Sequence, residues 1–216
     1  MAKKSPPSAI IRAQLLEKTR DFAVEAGWNA SALNRAATAL NLSAGELRLA
    51  APDGIDTLLL AWADESDEQT RAIMHQADLA TMKIREKVTF GVRTRIEALG
   101  PHRKSAGRAA HALAAPWRAP LGAKILWNAA DTIWAALGDT STDSNWYTKR
   151  MTLSGVLAST LNVWLSEEDE QLAWKRLDDR IENVMQFEKL KIDARKFTDR
   201  LPDPLDLLKL VPRRPF

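Results

Sequence analysis

The sequence predicts an all-α protein. Apolar residues recur at three- and four-residue spacing in one segment after another. No strand-type alternation is sustained, and Gly, Pro and Ser/Asn stand where helices would start or stop. With 216 residues and 45% hydrophobic content, the chain can bury a sizeable core.

Ile11, Leu15, Leu16, Thr19, Phe22, Ala23 and Ala26 predict a first helix from Ser8 to Ala26, closed by Gly27. Ser31 is expected to cap a helix through Leu40. Asn41-Leu42-Ser43 then turns, and Ser43 caps the short segment Ala44 to Ala50. Pro52-Asp53-Gly54 separates this unit from a helix over Ile55 to Ala72. Lys83 to Leu99 places Ile84, Val88, Val92 and Ile96 on one face and ends at Gly100-Pro101. An alanine-rich helix, Ser105 to Ala115, closes at Pro116.

Leu121 to Leu137 follows Pro120, with Ile125, Ala129, Thr132, Ile133 and Leu137 on one face, and Gly138 stops it. Trp146 to Leu165 repeats the pattern through Leu153, Val156, Leu157, Leu161 and Trp164. Glu167 to Phe187 turns Leu172, Leu177, Ile181, Val184 and Met185 toward the core, and its opening run of four acids suits the positive end of a helix dipole. Beyond it, Phe187, Leu190, Ala194, Phe197 and Leu201 share a face opposite Lys189, Lys191, Arg195, Lys196 and Arg200. This basic amphipathic helix suits a protein partner or a lipid interface, and a proline-bearing, leucine-rich tail follows it.

The net charge of +3 is unevenly placed. Ser8 to Glu65 carries five Lys/Arg against eight Asp/Glu, whereas Lys83 to Lys124 carries ten against Glu86 and Glu97. No apolar stretch reaches membrane-spanning length, and Met1 to Pro7 reads as too short and polar for a secretory signal. The absence of cysteine excludes disulfides and thiolate chemistry and fits a reducing compartment. His75, His102 and His111 lack helical-spacing partners, so no metal or other cofactor is expected. No phosphate loop or nucleophile elbow is present, and no catalytic residue is assigned.

The first 65 residues resemble the N-terminal domain of TetR-type repressors in layout, from the long helix ending at Gly27-Trp28 to Leu42-Ser43-Ala44-Gly45-Glu46-Leu47. A DNA-binding regulator with an apolar effector pocket is therefore the alternative reading. The acidic balance of this region argues against it, because phosphate neutralisation by Lys and Arg supplies nonspecific DNA affinity.

A second resemblance covers Ala9 to Phe187. Lys83-Ile84-Arg85-Glu86, Ala119-Pro120-Leu121-Gly122, Trp127 and Asp131-Thr132-Ile133-Trp134 contribute to it. Its strongest part is Gly138-Asp139-Thr140-Ser141-Thr142-Asp143 with Asn145-Trp146-Tyr147-Thr148-Lys149-Arg150. Together they resemble the lipid-binding accessory proteins of ubiquinone (coenzyme Q) biosynthesis, a non-catalytic family on a TetR-like fold. Leu49-Ala50-Ala51-Pro52 departs from the leucine-phenylalanine-proline step of that family.

The resemblance implies a TetR-like helical bundle with a vestigial helix-turn-helix at 8–65. It implies a lipid-binding and dimerisation domain at 66–187, and an amphipathic helix with tail at 188–216. It further implies a homodimer at the inner membrane surface, on the cytoplasmic side, that holds an isoprenoid quinone intermediate and presents it to a di-iron quinone hydroxylase. Asp143, Trp146 and Tyr147 would contact that partner. Leu126, Ile133, Leu153, Leu157, Leu161 and Trp164 are the expected lipid-lining residues. Phe187, Leu190, Phe197 and Leu201 would meet the membrane.

Overall fold

The structure, a computed structural model, describes residues 7–142 and 144–198, with side chains described as far as residue 186. Among the described residues there are nine α-helices and no strand, in the layout of a TetR-like bundle. They are α1 (Pro7–Ala26), α2 (Ala30–Ala39), α3 (Ala44–Ala50), α4 (Ile55–Gln76), α5 (Ile84–Glu97), α6 (Arg103–Leu113), α7 (Ala119–Ala136), α8 (Ser144–Ser166) and α9 (Glu170–Thr198). Short 3-10 turns at Leu79–Thr81, Gly100–His102 and Pro116–Arg118 join α4 through α7.

Local chemistry explains most boundaries. Asn29, not Ser31, caps α2: its Oδ1 accepts from the backbone N–H groups of Ser31 at 2.9 Å and Ala32 at 3.1 Å. Ser43 caps α3 as expected, in a capping box with Glu46. The acidic run before α9 does not itself form the first turn. Asp169 lies outside the helix and accepts from Gln171 N–H at 2.9 Å, leaving Glu170 as the acid beside the helix dipole.

The buried side chains form two clusters. Trp28, stacked on Trp62 at 5.2 Å, joins Leu15, Leu33, Leu58 and alanines of α2 and α6 in the first. Val92, Ile96, Ile133, Leu157, Trp164 and Leu177 build the second across α5, α7, α8 and α9. One helix, α4, supplies both, with Leu58 and Trp62 at one end and Met74 at the other, so it runs across the expected boundary at residues 65 and 66. Deep in the second cluster α5 and α7 approach closely at Gly91, where an added Cβ would stand 2.7 Å from Ile133 Cγ2. On α9 Leu177 and Ile181 are buried as expected, Ala173 and Trp174 are buried with them, and Leu172, expected inside, is 46% exposed.

The amphipathic segment expected from Phe187 is not a separate helix. Its backbone continues α9 without interruption to Thr198. No helix among the described residues is long and apolar enough to cross a membrane.

Candidate functional site

The polar run between α7 and α8 is an engineered-looking corner only because two kinds of contact coincide there: backbone hydrogen bonds that close α7, and ion pairs that clamp α8 onto it. Leu137 ends α7, and Gly138 adopts φ +73°, a left-handed conformation that a Cβ disfavours. Gly138 N–H then donates to Ala135 O and Asp139 N–H to Trp134 O, both at 3.0 Å, satisfying two orphan carbonyls in a Schellman motif.

The turn delivers the Asp139 side chain inward, 4% exposed, beneath the start of α8. Its Oδ1 accepts from Lys149 Nζ at 2.6 Å and from Ser141 Oγ at 2.8 Å, and its Oδ2 from Arg150 Nη1 at 3.1 Å. Burial opposes ionisation of Asp139, but the hydrogen bonds from Lys149, Ser141 and Arg150 outweigh it and hold the carboxyl well below the usual carboxylate range. Arg150 also donates to Asp131 Oδ1 at 2.6 Å on α7 and to the Trp146 carbonyl at 3.2 Å. Lys149, with Nζ 5.2 Å from the Trp134 ring centroid, completes the clamp.

The clamp sets the aromatic face. Arg150 lies 4.0 Å from the Trp146 ring centroid, fixing that indole half-buried, while Tyr147, about 100° further round the helix, is 60% exposed. The two rings meet edge to face at 4.8 Å, and Trp127 of α7 joins them at 5.6 Å from Trp146 and 6.3 Å from Tyr147. Met151, 67% exposed, follows Arg150 at the same end of α8. Asp143 lies outside the described residues.

Two apolar hollows flank α8. The smaller, about 90 Å³, lies among α4, α5, α6, α7 and α8, and Leu126, Leu157 and Leu161 line it. The larger, about 240 Å³, lies between α5, α8 and α9, and takes Leu153 with Val88, Trp134 and Met185. Of the remaining expected lining residues, Ile133 and Trp164 are fully buried in the second cluster and line neither hollow. Phe187, Leu190 and Phe197 fall on the α9 backbone with side chains outside the described set, and Leu201 lies beyond it.

The basic stretch from Lys83 to Lys124 is mostly committed within the chain. All six of its arginines have partners: Arg85 with Glu182, Arg93 with Glu97, Arg95 with Asp67, Arg103 with Glu170, Arg118 with Asp56, and Arg108 with the Val24 carbonyl. Arg103 also donates to the carbonyls of Trp164 and Glu167, closing the end of α8. In the helix-turn-helix unit, Arg35 pairs with Glu25 at 3.9 Å and lies over Phe22, and Arg12 is held by the Ala50 carbonyl. Among the described residues, no group of three or more His, Cys, Asp or Glu could hold a metal.

Residues 119–188, which hold α7, the Asp139 turn, α8 and the first part of α9, match the COQ9 family. In sequence the chain is similar to COQ9 proteins. It is 28% identical over 184 residues to rat "Ubiquinone biosynthesis protein COQ9, mitochondrial", covering 81% of this chain and 59% of that protein. It is 28% identical to the human protein of that name, covering 80% and 57%, and 29% identical to COQ9-A of Xenopus laevis, covering 81% and 58%. The chain thus spans less than two thirds of the length of these relatives.

The COQ9 match coincides with the clamped corner, with the walls that α7 and α8 give to both hollows and with the α9 wall of the larger. Trp127, Asp131, Lys149 and Arg150 carried the resemblance without a role of their own. Their placement depends on the antiparallel pairing of α7 with α8, which brings residues 131 and 150 together across the turn.

Proposed function

We propose that this protein is a non-catalytic accessory factor of ubiquinone biosynthesis that binds an isoprenoid quinone intermediate and presents it to a quinone hydroxylase. The observation that carries this reading is the pair of apolar hollows against α8, within the stretch matched to COQ9. A polyprenyl tail loses about 0.8 kcal/mol of favourable transfer for each methylene left in water, so its carrier must offer apolar walls. Cavities between helices are common sites of this kind, and typical ones hold about 300–1,000 Å³. The two hollows are smaller, so a whole lipid requires α6 or α9 to yield or both hollows to be used.

The Trp127-Trp146-Tyr147 face is the docking surface in this reading, since exposed Trp and Tyr dominate interface energetics. The chain acts as a homodimer at a membrane surface, which the basic amphipathic part of α9, carrying Phe187, Leu190 and Phe197, contacts together with Leu201. Residues 8–65 keep a helix-turn-helix layout without its DNA function, 66–187 hold the ligand, and 188–216 serve the membrane.

Mass spectrometry of lipid extracted from the native purified protein tests the ligand: isoprenoid quinone intermediates enriched over total membrane lipid are expected, and recovery of none would overturn the reading. Co-purification with the hydroxylase tests the docking face, and the variants are argued below.

A further inference from the structure

Resting on the quinone-carrier reading, we propose that the smaller hollow admits the carbonyl edge of an uncharged ring, head inward, with its carbonyl oxygen hydrogen-bonded to Arg95 and its apolar remainder leaving between α6, α7 and α8. Its wall on α4 and α5 includes buried Trp62, Ala63, Arg95 and Ile96, and half-buried Leu113, Ile125, Leu126 and Leu161 line it on α6, α7 and α8 beside buried Ala109, Ala129 and Leu157.

Arg95 is the charged residue among the lining side chains and is only 6% exposed. Its Nε donates to Asp67 Oδ1 at 2.5 Å and its Nη2 reaches the Ala63 carbonyl only at 3.5 Å, while Nη1 finds no acceptor among the described residues. A guanidinium carries five N–H donors, so this one keeps donors to spare in an apolar space. Such a donor favours a ligand that brings an acceptor, and a bond to a charged donor is stronger than one between neutral groups.

Asp67 decides the charge of that ligand. It is as buried as Arg95 and already neutralises it, so a carboxylate or phosphate would add an uncompensated charge beside a buried carboxylate. A neutral ketone or quinone oxygen adds none. At about 90 Å³ the hollow is smaller than the roughly 150 Å³ cavity that takes benzene, so the carbonyl edge alone enters and the rest of the ring and its substituents stay outside. In this orientation the carbonyl is shielded, and transfer to a partner begins with its withdrawal.

The test compares decyl-1,4-benzoquinone with decylbenzene by isothermal titration of the full chain in one dilute nonionic detergent. The quinone is expected to bind at least tenfold more tightly. Arg95→Lys, which keeps the charge beside Asp67 but loses the fork, is expected to bring the two within twofold without changing decylbenzene affinity. Ala109→Leu, which fills the hollow, is expected to remove binding of both.

Equal affinities in the unmodified protein, a preference that survives Arg95→Lys, or binding untouched by Ala109→Leu would each overturn the head-inward site while leaving an apolar-ligand carrier standing. Failure of both ligands to bind the unmodified protein would remove the carrier reading as well. Should Arg95→Lys not fold, the quinone-to-decylbenzene ratio of the unmodified protein still decides the matter.

Discussion

At the scale of single residues, the corner between α7 and α8 separates structure from recognition. Asp139, Lys149 and Arg150 are turned into the fold, whereas Tyr147 is turned out of it. Tyr147→Ala is therefore the cleaner probe of docking: co-purification with the quinone hydroxylase should fall at least tenfold, with thermal stability within about 0.5 kcal/mol of the parent, as for most surface changes. Trp146→Lys should abolish the complex too. It also brings a second cation beside Arg150, so a stability loss of about 1 kcal/mol is expected with it. A complex that survives both changes would remove the docking face.

Asp139 carries a prediction about acid. Its folded pKa lies below the unfolded value near 3.8, so its stabilisation is complete above that value and is lost as pH falls through and below it. Asp139→Asn should cost about 2 kcal/mol at pH 7, from charge-assisted hydrogen bonds removed, and less at pH 3. Urea unfolding at the two pH values measures the convergence. Asp67 acts in the opposite sense: burial raises its pKa against the pull of Arg95, so its share of stability grows as pH falls toward the unfolded value. Parallel pH profiles of the parent and Asp139→Asn would contradict the assignment.

At the scale of elements, helix existence was legible because it depends on local periodicity and caps. The capping box at Ser43, the breaks at Gly27 and Gly138, and the apolar faces of α7 and α8 all stand where the spacing puts them. What local spacing could not reveal was three-dimensional register. Leu172, expected inside, lies about 200° from Trp174 on the helix, and packing against α8 selects the face of Trp174, Leu177 and Ile181. Likewise Leu126, Leu157 and Leu161 face a hollow while Ile133 and Trp164 fill solid core, a distinction set by how neighbouring helices meet.

Gly91 belongs to the same class: nothing in the α5 sequence shows that α7 passes against it. Gly91→Ala should gain about 1 kcal/mol in helix propensity and lose more to overpacking against Ile133 and Met74, a net loss of about 1 kcal/mol. A melting temperature lowered by about 2–4 °C would show it. Ile133→Leu, which lacks the crowded β-branch, should recover part of that loss when combined with Gly91→Ala. A stabilised Gly91→Ala would mean that α5 and α7 adjust freely.

At the scale of the whole molecule, charge placement rather than fold layout sets the expectation about DNA. The layout is that of a repressor, but the N-terminal unit is acidic and its Arg12 and Arg35 are held within the chain. Mobility-shift assays with random duplex DNA at physiological salt should show no complex at micromolar protein, and a salt-sensitive complex would revive the regulator reading. This much was readable from the sequence, whereas the internal pairing of the central arginines was not, because most of their partners lie on other helices.

The course of α4 has a mechanical consequence. Because one rod is gripped at one end by the Trp28 cluster and at the other by the Val92 cluster, neither half can melt while the other keeps its full set of contacts. Calorimetry should therefore record one cooperative transition with equal calorimetric and van't Hoff enthalpies, not two. The same rod gives the N-terminal unit a further purpose as ballast: it holds Trp62 and Ala63 still in the wall of the smaller hollow.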